Sequence, residues 1–139
     1  MNKRKGYIEE LFTDSSPIDE KSTVQALKYF ITIQRDSKDI YFKNEKDLTV
    51  EDTILIYGLT KKLLNIRGLV GAEEISASEI YQKTGIKKGS IDSAFNRLRG
   101  KYIVGRKKNY VIPNFKVNEI IENLKNIIKL SEKTKKGEK

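Results

Sequence analysis

Two short amphipathic segments meeting at Gly85 leave this chain few ways to fold. Ser76 and Glu79 have the spacing of a capping box that opens the first segment, with Ile80 and Tyr81 expected to point inward. Thr84 and Gly85 close it, because glycine alone enters the left-handed conformation of a tight exit without steric cost. Ile86 is expected to plug the bend. The second segment, over 88–99, places Ile91, Ala94, Phe95 and Leu98 at i, i+3, i+4 and i+7, one buried helical face. Its opposite face carries Ser90, Ser93, Asn96 and Arg97, flanked by Lys87, Lys88 and Arg99. Gly100 ends the helix. Two β-branched runs follow, 102–104 and 110–112, the second stopped by Pro113. Between them Arg106, Lys107 and Lys108 form the cationic tip of a loop, and Ile75 is a candidate short strand ahead of the first helix.

Charge concentrates in the same stretch. From Lys83 to Lys108 there are nine basic residues and one acid, Asp92, so this segment holds +8 of the chain's net +9. The rest of the 139 residues is almost balanced. A solvated helix face ordinarily mixes signs, so a segment this one-sided is expected to meet a polyanion. Cys and His are absent, which excludes disulfides, zinc fingers, thiolate nucleophiles and imidazole acid–base chemistry. No apolar run reaches the ~20 residues of a spanning helix. The carboxylate pairs Glu9–Glu10, Glu51–Asp52 and Glu73–Glu74 are sequence neighbours whose side chains diverge, so none is a ready acid–base pair. The run 85–90 lacks the spacer and the Gly-Lys-Ser/Thr ending of a phosphate loop. The chain is therefore expected to be a non-enzymatic, intracellular protein without cofactor or metal.

Outside this stretch the reading is coarser. Residues 1–16 form a basic N-terminal arm. Residues 17–48 form an extension read as helical over 17–34, with Ser16 capping, Pro17 in the first turn, and Val24, Leu27 and Ile31 at helical spacing. A hairpin across the turn cluster Asp36–Asp39 competes with that helix, because 29–34 and 40–42 are rich in β-branched and aromatic residues. Thr49 and Asp52 have capping-box spacing at the start of a helix too apolar for one narrow stripe, hence central, ending at Gly68. Asn114 is expected to cap a helix over 114–130. Its residues Val117, Ile120, Ile121, Leu124, Ile127 and Ile128 either pack on the chain's own helices or hold a homodimer together, and a homodimer is the expectation. Residues 131–139 read as a disordered, Lys-rich tail.

From Ile75 to Ile112 the element order and chemistry resemble the winged helix-turn-helix DNA-binding domains of small prokaryotic and archaeal transcription regulators. With the helix that starts at Thr49, the resemblance covers residues 49–113, about half the chain. It implies a mainly α fold with a small β-hairpin wing, extended by an N-terminal helical segment and a long C-terminal helix. It also implies double-stranded DNA as partner and a cytoplasmic, nucleoid-associated place. Ser90, Ser93, Asn96 and Arg97 would then approach base edges, since serine, asparagine and arginine match the donors and acceptors of the major groove. Lys87, Lys88, Arg99, Lys101, Arg106, Lys107 and Lys108 would neutralise phosphates. A winged helix serving as a protein-interaction module, or one binding RNA, are the rival readings.

Overall fold

The computed structural model describes residues 18–106 and 108–137. The basic arm over 1–16, the Ser16–Pro17 helix start, Lys107 and the last two residues of the tail lie outside the described residues. Asp19 caps α1 (Glu20–Leu27), its carboxylate accepting the Ser22 N–H at 3.1 Å. Here the expected helix over 17–34 stops, and its second half is an antiparallel hairpin, β1 (Ile31–Ile33) with β2 (Ile40–Phe42). The turn decides the competition. The Gln34 side-chain carbonyl accepts the N–H groups of Asp36 and Ser37, both at 2.8 Å, while Lys38 adopts a left-handed φ of 62°. The hairpin also buries Phe30, Ile31 and Ile40 in the core, which gives its β-prone residues a reason to leave the helix.

The central helix, α2 (Val50–Ile66), opens with the expected capping box: Thr49 and Asp52 each accept the other's backbone N–H at 3.1 Å. It is buried on several sides, with Ile54, Ile56 and Leu59 fully enclosed. Gly58 marks the closest approach, since a Cβ there would stand 2.8 Å from the Ile112 side chain. The helix ends with Gly68 at a φ of 71°.

After Ile75, α3 (Ala77–Thr84) and α4 (Lys88–Leu98) follow, joined through Gly85 at a φ of 75°. Open space surrounds Gly85, so Gly85→Ala tests backbone strain alone. It is expected to lower stability by about 1 kcal/mol, read as a lower denaturation midpoint at unchanged slope. Ile80 is buried as expected, but Tyr81 is half-exposed because it lies on the solvent side of this two-turn helix. The Ser76 capping box is one-sided. Ser76 accepts the Glu79 N–H, but the Glu79 carboxylate turns instead to the Lys61 ammonium, at 2.8 and 2.9 Å, and the Tyr57 hydroxyl, at 2.8 Å. A charged partner outcompetes a neutral backbone N–H.

A second hairpin, β3 (Val104–Arg106) with β4 (Asn109–Val111), starts two residues later than expected, Ile103 being buried beneath it. Ile75 joins its outer side, exchanging backbone hydrogen bonds with Tyr110 at 2.8 and 2.9 Å. A 3₁₀ turn (Asn114–Lys116) leads into α5 (Val117–Gly137). Asn114 does not cap this helix; its side-chain oxygen accepts the Lys62 ammonium at 2.8 Å.

Two expectations about the C-terminus are corrected. Val117, Ile120, Ile121 and Leu124 are buried within the chain, Ile127 and Ile128 pack partly against the same core, and α5 lies on α1 and α2. The stripe therefore does not supply a dimer seam. The polar tail is helical to Gly137, not disordered from Ser131. The Ser131 hydroxyl lies 2.7 Å from that of Tyr29 and donates to the Asp47 carboxylate at 3.0 Å. The described chain is thus mainly helical with small antiparallel hairpins, and none of its described helices is long and apolar enough to cross a membrane.

Candidate nucleic-acid interface

On α4 the side chains divide as the spacing predicts. Ile91, Ala94, Phe95 and Leu98 are buried, while Ser90, Ser93, Asn96, Arg97, Lys87, Lys88 and Arg99 are exposed. At 1.5 Å per residue its 11 residues extend about 16 Å. No side chain caps its first turn and no acid sits there, so its leading N–H groups and the positive end of its dipole face outward between Lys87 and Lys88.

The hairpin is fixed relative to this helix. Tyr110 on β4 stacks on Phe95 of α4, with ring centroids 4.7 Å apart and planes inclined by 20°. The Ile75 pairing ties the same tyrosine's backbone to the start of α3. Arg106 and Asn109 are the last pair of the ladder, and Lys108 beside it is exposed.

The expected cations are not equivalent. The Arg97 guanidinium donates to the Glu51 carboxylate at 2.8 Å, across from α4 to the first turn of α2. This hydrogen bond holds the Glu51 carboxyl below its ordinary range and raises the Arg97 guanidinium further. Lys83 is likewise paired, 2.8 Å from Asp39 beside β2, and each stabilises the charged form of the other. Lys101 lies 5.8 Å from the Tyr102 ring, at the rim of a cleft of about 260 Å³ that also includes Glu51, Arg97 and Asn123. The Arg99 guanidinium donates to the Asn96 side-chain oxygen at 3.4 Å, a long bond that leaves the Asn96 amide free to donate. Lys87, Lys88 and Lys108 make no ion pair among the described residues.

Sequence reasoning did not find Glu51 as the partner of Arg97. The two are 46 residues apart, and no local pattern links them. Among the described residues no group of three His, Cys, Asp or Glu side chains is placed to hold a metal. No family model, no curated protein and no solved structure matches this chain.

Proposed function

We propose that residues 49–113 form a winged helix that binds double-stranded DNA, and that the protein acts as a transcription regulator or chromatin-associated factor. The observation that carries this reading is the uncapped, lysine-flanked start of α4 on a helix whose Phe95 stacks on Tyr110 of the β3–β4 hairpin. An exposed helix start with free N–H groups and cations on both sides suits a phosphate, and the polar face behind it suits base edges. Ser93 and Asn96 lie at the centre of that face, diametrically across from Ile91, Phe95 and Leu98, with Ser90 and Arg97 on one flank.

Salt dependence tests the reading. With about six cations on phosphates, log K falls against log salt with a slope of about −5. Asn96→Ala is expected to erode sequence preference by about 1–3 kcal/mol and leave that slope unchanged. Equal affinity of parent and Asn96→Ala for every duplex in a random pool, together with a flat salt response, would falsify the proposal.

Glu51 makes a second prediction. It neutralises Arg97 in the free protein, so DNA gains that guanidinium only by displacing a carboxylate. Glu51→Gln is expected to tighten duplex binding several-fold at low salt and steepen the salt slope by about one contact. An unchanged slope in filter-binding titrations places Arg97 outside the interface.

A further inference from the structure

We propose that the free edge of β1, with the apolar groove beside it, receives a second copy of this chain. The inference stands apart from the DNA reading. Gln34 N–H donates to the Asp39 carbonyl at 2.9 Å and Lys43 N–H to the Phe30 carbonyl at 2.7 Å, so residues 30 and 34 face β2. Antiparallel ladders alternate, so Thr32, opposite Tyr41, faces β2 as well, and Ile31 and Ile33 turn their N–H and C=O groups away from it. Among the described residues no strand pairs with that outer edge and no backbone group satisfies it.

Beside the edge runs an open groove of about 210 Å³, walled by Val24 and Leu27 of α1 and by Thr60 and Leu63 of α2. The Thr60 hydroxyl donates to its own helix, to the Ile56 carbonyl at 2.8 Å, and presents only its methyl group. Val24 is 45% exposed and Ile33 39%, large values for aliphatic side chains lining one depression. An unpaired edge flanked by exposed apolar side chains is a template for strand addition.

The chemistry of the edge fits itself. Antiparallel pairing about a two-fold axis at Thr32 sets Ile31 of each copy opposite Ile33 of the other. The N–H and C=O groups of those two residues then satisfy one another across the seam. Lys28, the one charged residue lining the groove, ends α1 just ahead of this edge and the exposed Asp36 lies in the turn just beyond it, so antiparallel pairing carries the lysine of each copy to the side of the other's Asp36. Opposite charges thus meet at both ends of the seam.

Sedimentation equilibrium of the full chain across the micromolar range tests the proposal. The parent is expected to approach twice its 16.0 kDa monomer mass as concentration rises. Val24→Arg places a charge in the groove on an exposed helical position, and Ile33→Pro removes an outward N–H without touching the β1–β2 ladder. Each is expected to raise the dissociation constant at least tenfold. A parent that stays at the monomer mass, or a folded Val24→Arg variant that associates like the parent, overturns the proposal. Should Ile33→Pro fail to fold, Val24→Arg alone decides. Binding of Val24→Arg to a short duplex carrying a single site keeps the two questions separate, because loss of association leaves the α4 surface intact.

Discussion

Replacing Lys87, Lys88 and Lys108 together by alanine is expected to weaken duplex binding by about 10²–10³-fold at 0.1 M salt and to flatten the salt slope by about three contacts. Each phosphate contact releases nearly one counterion, and the gain per contact at that salt is close to a factor of ten. These three lysines are chosen because they are exposed and make no ion pair within the described chain, so their charge is available to a polyanion. Lys83→Ala is the control: its ammonium already faces Asp39 at 2.8 Å, so the slope is expected to stay where it is. All four positions are on the surface, and stability should move by no more than about 0.5 kcal/mol. A triple variant that binds with the parent's slope would remove α4 and the hairpin from the interface.

Lys62→Ala is expected to be the most destabilising single change, at about 3 kcal/mol, with thermal unfolding near 10 °C lower. Only 4% of the Lys62 side chain is exposed, and its ammonium holds Glu73 at 2.7 Å and the Asn114 oxygen at 2.8 Å. One lysine thereby ties α2 to the loop before Ile75 and to the exit from β4. Removing it leaves the part-buried Glu73 carboxylate without the ammonium that balances its charge. The cost falls at the low end of the range for broken buried pairs, because Glu73 keeps 22% exposure and water reaches it. Removing both charges, Lys62→Met with Glu73→Gln, is expected to recover more than half of the loss, since the stranded charge is then gone. Calorimetry of the two single variants and the double variant measures the coupling. Additive losses would show that Lys62 contributes packing alone.

The two predictions differ in how far they were readable from the amino-acid order. Lys87, Lys88 and Lys108 stood out beforehand because charge is countable and the apolar spacing of Ile91, Ala94, Phe95 and Leu98 assigns them to the open side of a helix. Lys62 looked like any polar residue of a long helix. Nothing near it in sequence announces burial, and its partners are 11 and 52 residues away. Arg97 is the intermediate case: its exposure was legible from periodicity, its pairing with Glu51 was not. The N-terminal extension failed for a related reason. Val24, Leu27 and Ile31 have helical spacing while the turn cluster Asp36–Asp39 signals a hairpin, and the core position that Phe30 and Ile40 occupy, which decides between the two, is written in neither local pattern.

By itself the sequence determined the features set within a few residues: the Thr49–Asp52 capping box, the left-handed exit at Gly85, the amphipathic division of α4 and the concentration of cations around it. Those depend on hydrogen bonds and sterics between near neighbours, which residue types and their intervals encode directly. Tertiary structure alone decided what covers each apolar face and which charge neutralises which: that the α5 stripe packs in cis on α1 and α2, that Glu51 takes Arg97, and that the outer edge of β1 has no strand partner among the described residues. An apolar stripe requires burial without specifying against what, and an ion pair needs proximity that only the folded chain creates.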